Sequence, residues 1–420
     1  MSDQTPAGVH RTDAPNGLTI LSEHLPGRRT VAFGAWVRFG TVHETREQMG
    51  LAHLLEHMVF KGTATRSARD LAFALESLGG SLDAYTEREF TSYQARVLDR
   101  HLQQAVDVVG DLIFQPKLDA ADLTLERQVI LEEIGMVDDT PDDVVFDLHN
   151  EALWGVHPHA WRILGTRETV SALTTDDLQT LWRTQYQPAR LVVAAAGNVT
   201  HAQLLEVLGA AGWLDRPAGP STGPVVPAVT PRLGERVHHA RKDISQVHVV
   251  LGGPATPVSD PRRHAFGLLG TLVGGGMSSR LFQRVREELG YAYSVYHFHS
   301  PYADTGAHGV YLASAPETAQ RALDAAREIL ADVAAHGVSE AELEAGKQQL
   351  AGQLVMSLES VSARMYRAAT SALYHEPVRT IDELLEEVAA VDAEQVAEVA
   401  RQFFDPTRAT LVSLGPRSVR

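Results

Sequence analysis

The chain has 420 residues, 44% hydrophobic and 21% charged, with no cysteine and a formal net charge of -16. That length exceeds what one core supports and predicts two or three domains of ordinary globular composition. The acidic balance speaks against nucleic-acid binding and favours cationic partners, and the lack of cysteine excludes disulfides and leaves His and carboxylates as the zinc ligands on offer.

The N-terminal residues are polar and carry no apolar segment of a secretory signal, and no apolar run reaches the ~18 residues a membrane helix needs. A cytoplasmic protein without membrane contact is expected. Residues 18–25 (LTILSEHL) and 30–40 (TVAFGAWVRFG) read as strands with a turn at Pro26–Gly27. Residues 50–63 (GLAHLLEHMVFKGT) then read as a buried helix. Within it His53 and His57 are four apart and share one face, a spacing at which two imidazoles grip one tetrahedral zinc ion. Glu56 stands beside the second histidine, where a carboxylate can activate water. The order His-x-x-Glu-His reverses the commoner His-Glu-x-x-His. Without an ion, two histidines and a glutamate on an apolar helix each need another buried partner.

A second helix is expected over 67–79, a strand pair over 80–89 and 90–98, and helices over 102–114 and 120–137. The strands cluster instead of alternating with helices, which favours an α+β class. In the last helix Glu126 and Glu133 are seven apart and share a face, with Val129 and Ile130 near it. That face is expected to point inward, so that either carboxylate can complete a zinc site; Glu132 is expected in solvent. The alternative is an ordinary charged surface face.

Residues 215–231 (DRPAGPSTGPVVPAVTP) read as a linker between domains 1–214 and 232–420. The two halves look duplicated. Residues 170–197 match 388–415 at a constant offset of 218, pairing Arg183 with Arg401, Pro188 with Pro406, Arg190 with Arg408 and Gly197 with Gly415. Each copy runs from an amphipathic helix through an aromatic-x-Pro-x-Arg turn into an apolar strand. Residues 118–128 match 338–348 at an offset of 220, which sets Glu126 opposite Gly346 and Glu133 opposite Gln353. Loss of the acids in one copy suggests that they serve chemistry in the other.

The segments GLAHLLEHMVFKGT, GGSLDAYTERE, LERQVILEEIGMVDDTP and GGGMSSRLFQRVREELGYAYSV, in that order, resemble the pitrilysin and mitochondrial processing peptidase family of inverted zincins. The resemblance runs from about Gly17 to Gly415. It implies two duplicated α/β-sandwich domains, each a mixed or antiparallel sheet covered by helices, forming one half of a clam-shell chamber. It implies a zinc metalloendopeptidase acting on short or unfolded peptides, with one Zn2+ per chain held by His53, His57 and Glu133. Glu56 then matches the general base and Glu126 an acid that supports the site. Gly80, Ser81, Leu82, Asp83, Ala84 and Tyr85, continuing to Thr86, match an edge strand along which substrate pairs. Asp83 stands where the family usually has Asn. In the second half Arg286 and Tyr293 match a pair that holds substrate and the carbonyl oxygen, although Arg284 and Tyr291 share the spacing. Two domains in place of the four of longer relatives imply a homodimer. A non-catalytic or peptide-capturing partner subunit is the alternative reading.

Overall fold

The computed structural model describes residues 3–4, 8–231 and 236–420. Positions 1–2 and 5–7 of the predicted first domain, and 232–235 of the predicted second, lie outside the described residues.

Strand Leu191–Gly197 is apolar along its whole length and buried on both faces, the signature of a central strand. It sits inside a seven-stranded sheet whose spatial order is Asp3–Gln4, Val9–Asp13, Thr19–His24, Leu191–Gly197, Thr30–Val37, Thr91–Leu98 and Ser81–Thr86. The two predicted strands flanking Pro26–Gly27 are therefore not neighbours. Leu191–Gly197 separates them, parallel to Thr19–His24 and antiparallel to Thr30–Val37. The turn closes over its end: Leu25 N–H donates to the Gly197 carbonyl at 2.8 Å, and Asn198 N–H to that of Thr30 at 3.1 Å.

The second sheet has five strands, in the order Ala292–Pro301, Gly306–Ser314, Val247–Ala255, Thr410–Gly415 and Arg236–Arg241. Its one parallel pair is Thr410–Gly415 with Arg236–Arg241. Counted from the edge strands Ser81–Thr86 and Ala292–Pro301, five strands of each sheet share order and direction. The matched segments carry the same elements: helix Thr175–Gln185 and strand Leu191–Gly197 in one, helix Ala393–Phe403 and strand Thr410–Gly415 in the other.

Each sheet buries one face under helices from its own half of the sequence. Leu54, Leu55 and Met58 of helix Leu51–Val59 and Val109 and Leu112 of helix Leu102–Phe114 pack on the first sheet. Leu268 and Leu269 of helix Arg263–Gly274 and Leu323 of helix Ala319–His336 pack on the second. The opposite faces are covered by exchange. Helix Val361–Leu373 lays Met365, Ala368, Ala369 and Ala372 on Leu21, Trp36 and Val192 of the first sheet. Helix Pro141–Trp154 lays Val144, Val145 and Ala152 on Val250, Tyr311 and Val412 of the second. The two helices begin 220 residues apart, at the offset already found between the copies.

The compact units are consequently discontinuous. One comprises Met1–Gly135, Trp161–Val226 and Ser357–Thr380; the other comprises Met136–Ala160, Pro227–Met356 and Ile381–Arg420. The predicted division at 1–214 and 232–420 differs from these units because each half of the sequence lends a helix to the other unit's sheet. The chain changes units at Val226–Pro227, inside the predicted linker, whose early residues fold back on the first unit: Ala189 N–H donates to the Ala218 carbonyl at 3.2 Å. Buried charge fastens the lent helix Val361–Leu373. Glu23 meets Arg364, and Arg367 at 3.6 Å. Arg38 donates to the carbonyls of Leu373 at 2.8 Å and Ala372 at 2.9 Å, placing a cation on the helix C-terminus. Among the described residues no helix is long and apolar enough to cross a membrane.

Candidate metal centre

Helix Leu51–Val59 is apolar at Leu51, Leu54, Leu55 and Met58, a stripe at helical spacing that buries into the core. His53, Glu56 and His57 occupy the other face. The helix starts at Gly50, whose φ of 88° is the left-handed conformation that glycine alone adopts cheaply. A Cβ there would stand 2.7 Å from the Leu164 carbonyl oxygen. Glu44 caps the first turn, accepting N–H bonds from Gly50 at 3.1 Å and Ala52 at 2.7 Å. Burial pushes this carboxyl up to about 8, against the pull of those bonds. Beyond the helix the chain turns at Lys61–Gly62–Thr63, where Asp111 accepts from Thr63 Oγ1 at 2.8 Å and pairs with Arg66 at 2.5 Å.

Helix Ala120–Asp138 brings the carboxylates. Glu133 Oε2 lies 3.8 Å from His53 Nε2 and 3.7 Å from His57 Nε2. One donor atom from each of His53, His57 and Glu133 lies within 4.8 Å of the others, and no other such group occurs among the described residues. Tetrahedral zinc bonds of ~2.0–2.1 Å place neighbouring donors roughly 3.4 Å apart, so the observed spacing fits the ion with small closure. Burial, with the neighbouring His57 adding to it, holds the His53 imidazole down at about 3, neutral and ready to ligate.

Glu126 is buried one helical repeat before Glu133. Its Oε2 lies 3.2 Å from His57 Nδ1 and its Oε1 2.5 Å from Lys61 Nζ. It meets the imidazole on the side away from Glu133, and Lys61 offsets its buried charge. Ile130 is fully buried as expected, but Val129 is 49% exposed. The inward face runs through Leu123, Glu126, Ile130 and Ile134. At 3.6 residues per turn Val129 falls about 60° from Glu126 on the side away from Ile130, beyond the edge of that face and into solvent. Glu132 is exposed, as its position on the wheel requires.

Strand Ser81–Thr86 ends the sheet and, among the described residues, pairs with Thr91–Leu98 alone. Gly80 precedes it, where a Cβ would meet the Arg96 carbonyl oxygen at 2.9 Å. Ser81, Leu82, Ala84 and Tyr85 are half-buried and Asp83 is exposed. Thr86 closes the strand, buried, and its Oγ1 donates to Glu56 Oε2 at 2.6 Å. Burial pushes the Glu56 carboxyl up, and the Thr86 hydroxyl pulls it back down. Lys61 carries no sequence signal, because it belongs to no ligand pattern; Thr86 is expected from sequence only as the end of the edge strand, and its contact with Glu56 is new.

In the second unit Arg286 lies in a wide helical turn over Phe282–Glu288, with i→i+5 bonding from Leu289 N–H to the Arg284 carbonyl. Its guanidinium sits 4.6 Å from the Phe282 ring centre and 4.4 Å from that of Tyr293, which is 74% exposed. Arg284 instead pairs with Glu288 at 2.7 Å on the surface. Tyr291 packs against the core with Arg321 over its ring. Arg286 and Tyr293 thus touch each other, whereas Arg284 and Tyr291 each engage other residues.

Two copies of one helix-covered sheet, with the histidine pair and its distant glutamate in the first only, define an inverted-zincin architecture. The family model of insulinase, peptidase family M16, matches residues 19–167, and that of the peptidase M16 inactive domain matches 172–350. An uncharacterized zinc protease of Streptomyces coelicolor is 41% identical over 97% of this chain and 90% of its own length. The uncharacterized zinc protease YmxG of Bacillus subtilis is 38% identical over 94% and 96%. Among solved structures, a protease from Helicobacter pylori superposes with a TM-score of 0.91 at 20% identity, over 97% of this chain and 99% of that one. A peptidase M16 inactive domain from Pseudomonas fluorescens gives 0.89 at 19% identity, over 98% of each. The chain belongs to peptidase family M16, in a short two-domain form.

Proposed function

We propose that the chain is a zinc metalloendopeptidase cutting short or unfolded peptides. The observation that carries this reading is the convergence of His53, His57 and Glu133 donors beside Glu56. One zinc ion held there supplies Lewis-acid polarisation of the scissile carbonyl and lowers the pKa of water toward ~7. Glu56 takes the proton from that water and passes it to the leaving amine. Glu126, backed by Lys61, keeps the His57 ring in its ligating orientation. Gly80 to Tyr85 offer an unpaired sheet edge, where an extended peptide adds a strand through main-chain hydrogen bonds. Asp83 in place of the usual Asn puts a carboxylate on that edge and favours basic residues nearby. Arg286 grips the peptide and the Tyr293 hydroxyl donates to the carbonyl oxygen as charge develops.

In this reading the chain acts as a C2 homodimer in the cytoplasm. Mixing Glu56→Gln chains with Arg286→Ala chains restores activity if one chain supplies zinc and the other Arg286; cell fractionation tests the location.

The deciding experiment is Glu56→Gln. Cleavage of a mixed peptide library should vanish while zinc stays bound at one ion per chain. A parent protein that binds peptide and zinc without cutting would replace the enzyme with a peptide-capturing subunit.

A further inference from the structure

Glu56 is a long side chain that has to present one oxygen to water at a defined place. A glutamate has three rotatable bonds, so its neighbours decide where the carboxylate sits. The groups facing it are His57, Glu133 and Thr86, with the hydroxyls of Tyr93 and Tyr186 behind. The two tyrosine hydroxyls bond each other at 2.8 Å. Thr86 Oγ1 contacts Glu56 directly, 2.6 Å from Oε2 and buried. A hydroxyl facing a carboxylate oxygen donates, so Oε2 is engaged by Thr86.

The hydroxyl is well anchored. Thr86 is β-branched, which restricts its side-chain rotamer. It pairs across the sheet with Thr91, whose own hydroxyl donates to the Phe39 carbonyl at 3.0 Å. It is also the last residue of Ser81–Thr86, the strand offered to the peptide. Substrate edge and base therefore meet at Thr86, whose hydroxyl and backbone N–H both face the Glu56 carboxylate.

We propose that Thr86 is a positioning residue for Glu56: its hydroxyl pins one carboxylate oxygen, from the end of the peptide-pairing strand, so that the other meets water. This rests on the peptidase reading above. Valine at this position keeps the shape and removes the donor; serine keeps the donor and loosens the shape. Misplacing a catalytic group by ~1 Å costs on the order of 10²-fold in rate.

The test measures kcat and KM on a peptide, zinc content and thermal unfolding for the parent, Thr86→Val and Thr86→Ser, each also in a Glu56→Ala background. Thr86→Val should lower kcat by about 10–100-fold, leaving KM within about threefold and zinc at the parental level. Thr86→Ser should recover kcat to within about fivefold of the parent. Thr86→Val should also lower the midpoint of thermal unfolding further with Glu56 present than in the Glu56→Ala background, since only the former strands a buried carboxylate oxygen. A Thr86→Val enzyme with parental kcat overturns the proposal. So does a Thr86→Ser enzyme as slow as Thr86→Val, or equal thermal shifts in both backgrounds. A zinc-loaded parent that cleaves no peptide is a different outcome: it removes the peptidase reading, and this inference with it.

Discussion

His57 Nδ1 lies 3.2 Å from the buried Glu126 carboxylate, so the ring's other nitrogen, Nε2, is the one turned toward His53 and Glu133. The tautomer follows from this contact, because Nδ1 must carry the proton to donate. Lys61 then matters at a distance, by neutralising the acid that orients the ring. Glu126→Gln and Lys61→Met should each weaken zinc retention by about 10–100-fold, the usual cost of losing support behind a ligand. Competition with a chelator, read by residual zinc, measures this without any assay of cleavage. Retention at the parental level in both variants would show that the ring is held by packing alone.

Buried charge should also govern how firmly the lent helix Val361–Leu373 is seated. Glu23 faces Arg364 and Arg367 with little solvent near any of them. Removing one partner of such a cluster leaves uncompensated charge in the interior, at a cost of ~3–5 kcal/mol. Glu23→Ala should therefore lower stability to urea by that amount. Arg28 and Glu359 join the same parts of the chain through an exposed pair at 3.1 Å. Glu359→Ala should cost at most ~1 kcal/mol, so the contrast separates burial from mere pairing.

The helix of the candidate ligands was legible because two histidines four apart obey local spacing, and the duplication was legible because an offset of 218 survives in Pro188 and Pro406, Arg190 and Arg408, and one of 220 in Leu123 and Leu343, Gln128 and Gln348. Glu133 could be narrowed to a helix face, but the wheel around it was misjudged at Val129. The strand order was hidden, since nothing local announces that Leu191–Gly197 enters between two strands that are adjacent in sequence. The exchange of Pro141–Trp154 and Val361–Leu373 was hidden for the same reason: an apolar helix face says that it needs a sheet, not which one. Lys61 and Thr86 reach Glu126 and Glu56 across long stretches of sequence, and such contacts leave no periodic trace.

Acid should destabilise the second unit well before it titrates ordinary carboxylates. Burial holds His149 at about 4, His297 at about 3 and His299 at about 4, and His308 far below its ordinary value. His297, His299 and His308 pack among Phe266 and Phe404, His149 lies edge-on to Phe298, and His297 Nε2 lies 3.3 Å from His308 Nδ1. Above pH ~6.5 neither the folded nor the unfolded chain protonates them, and they contribute nothing. Below it the unfolded chain takes up protons that the folded one refuses, so stability falls as pH drops toward the folded values. Each histidine contributes up to ~1.4 kcal/mol per pH unit. The part of the urea stability that these histidines set in the second unit should be level at and above neutrality and decline steeply between about pH 6.5 and 5. His299→Phe, which keeps the stack on Phe266, should make that decline shallower; an unchanged slope would mean that this ring titrates freely.

The arginine that touches Tyr293 should be the one that matters for turnover. Arg286 is held between two aromatic rings, which fixes the plane of its guanidinium, whereas Arg284 is spent on an i,i+4 surface pair with Glu288. In the peptidase reading, Arg286→Ala should lower kcat/KM by at least ~10-fold, the loss of one charged substrate contact worth about 1.4 kcal/mol or more. Arg286→Lys should recover little, because an ammonium neither stacks flat nor donates as a fork. Arg284→Ala should stay within about twofold of the parent, as expected for an exposed pair. Steady-state kinetics on one peptide suffice. If Arg284→Ala proves the damaging change and Arg286→Ala the silent one, the substrate contact belongs to the other register, and the stack on Tyr293 serves only to hold the strand.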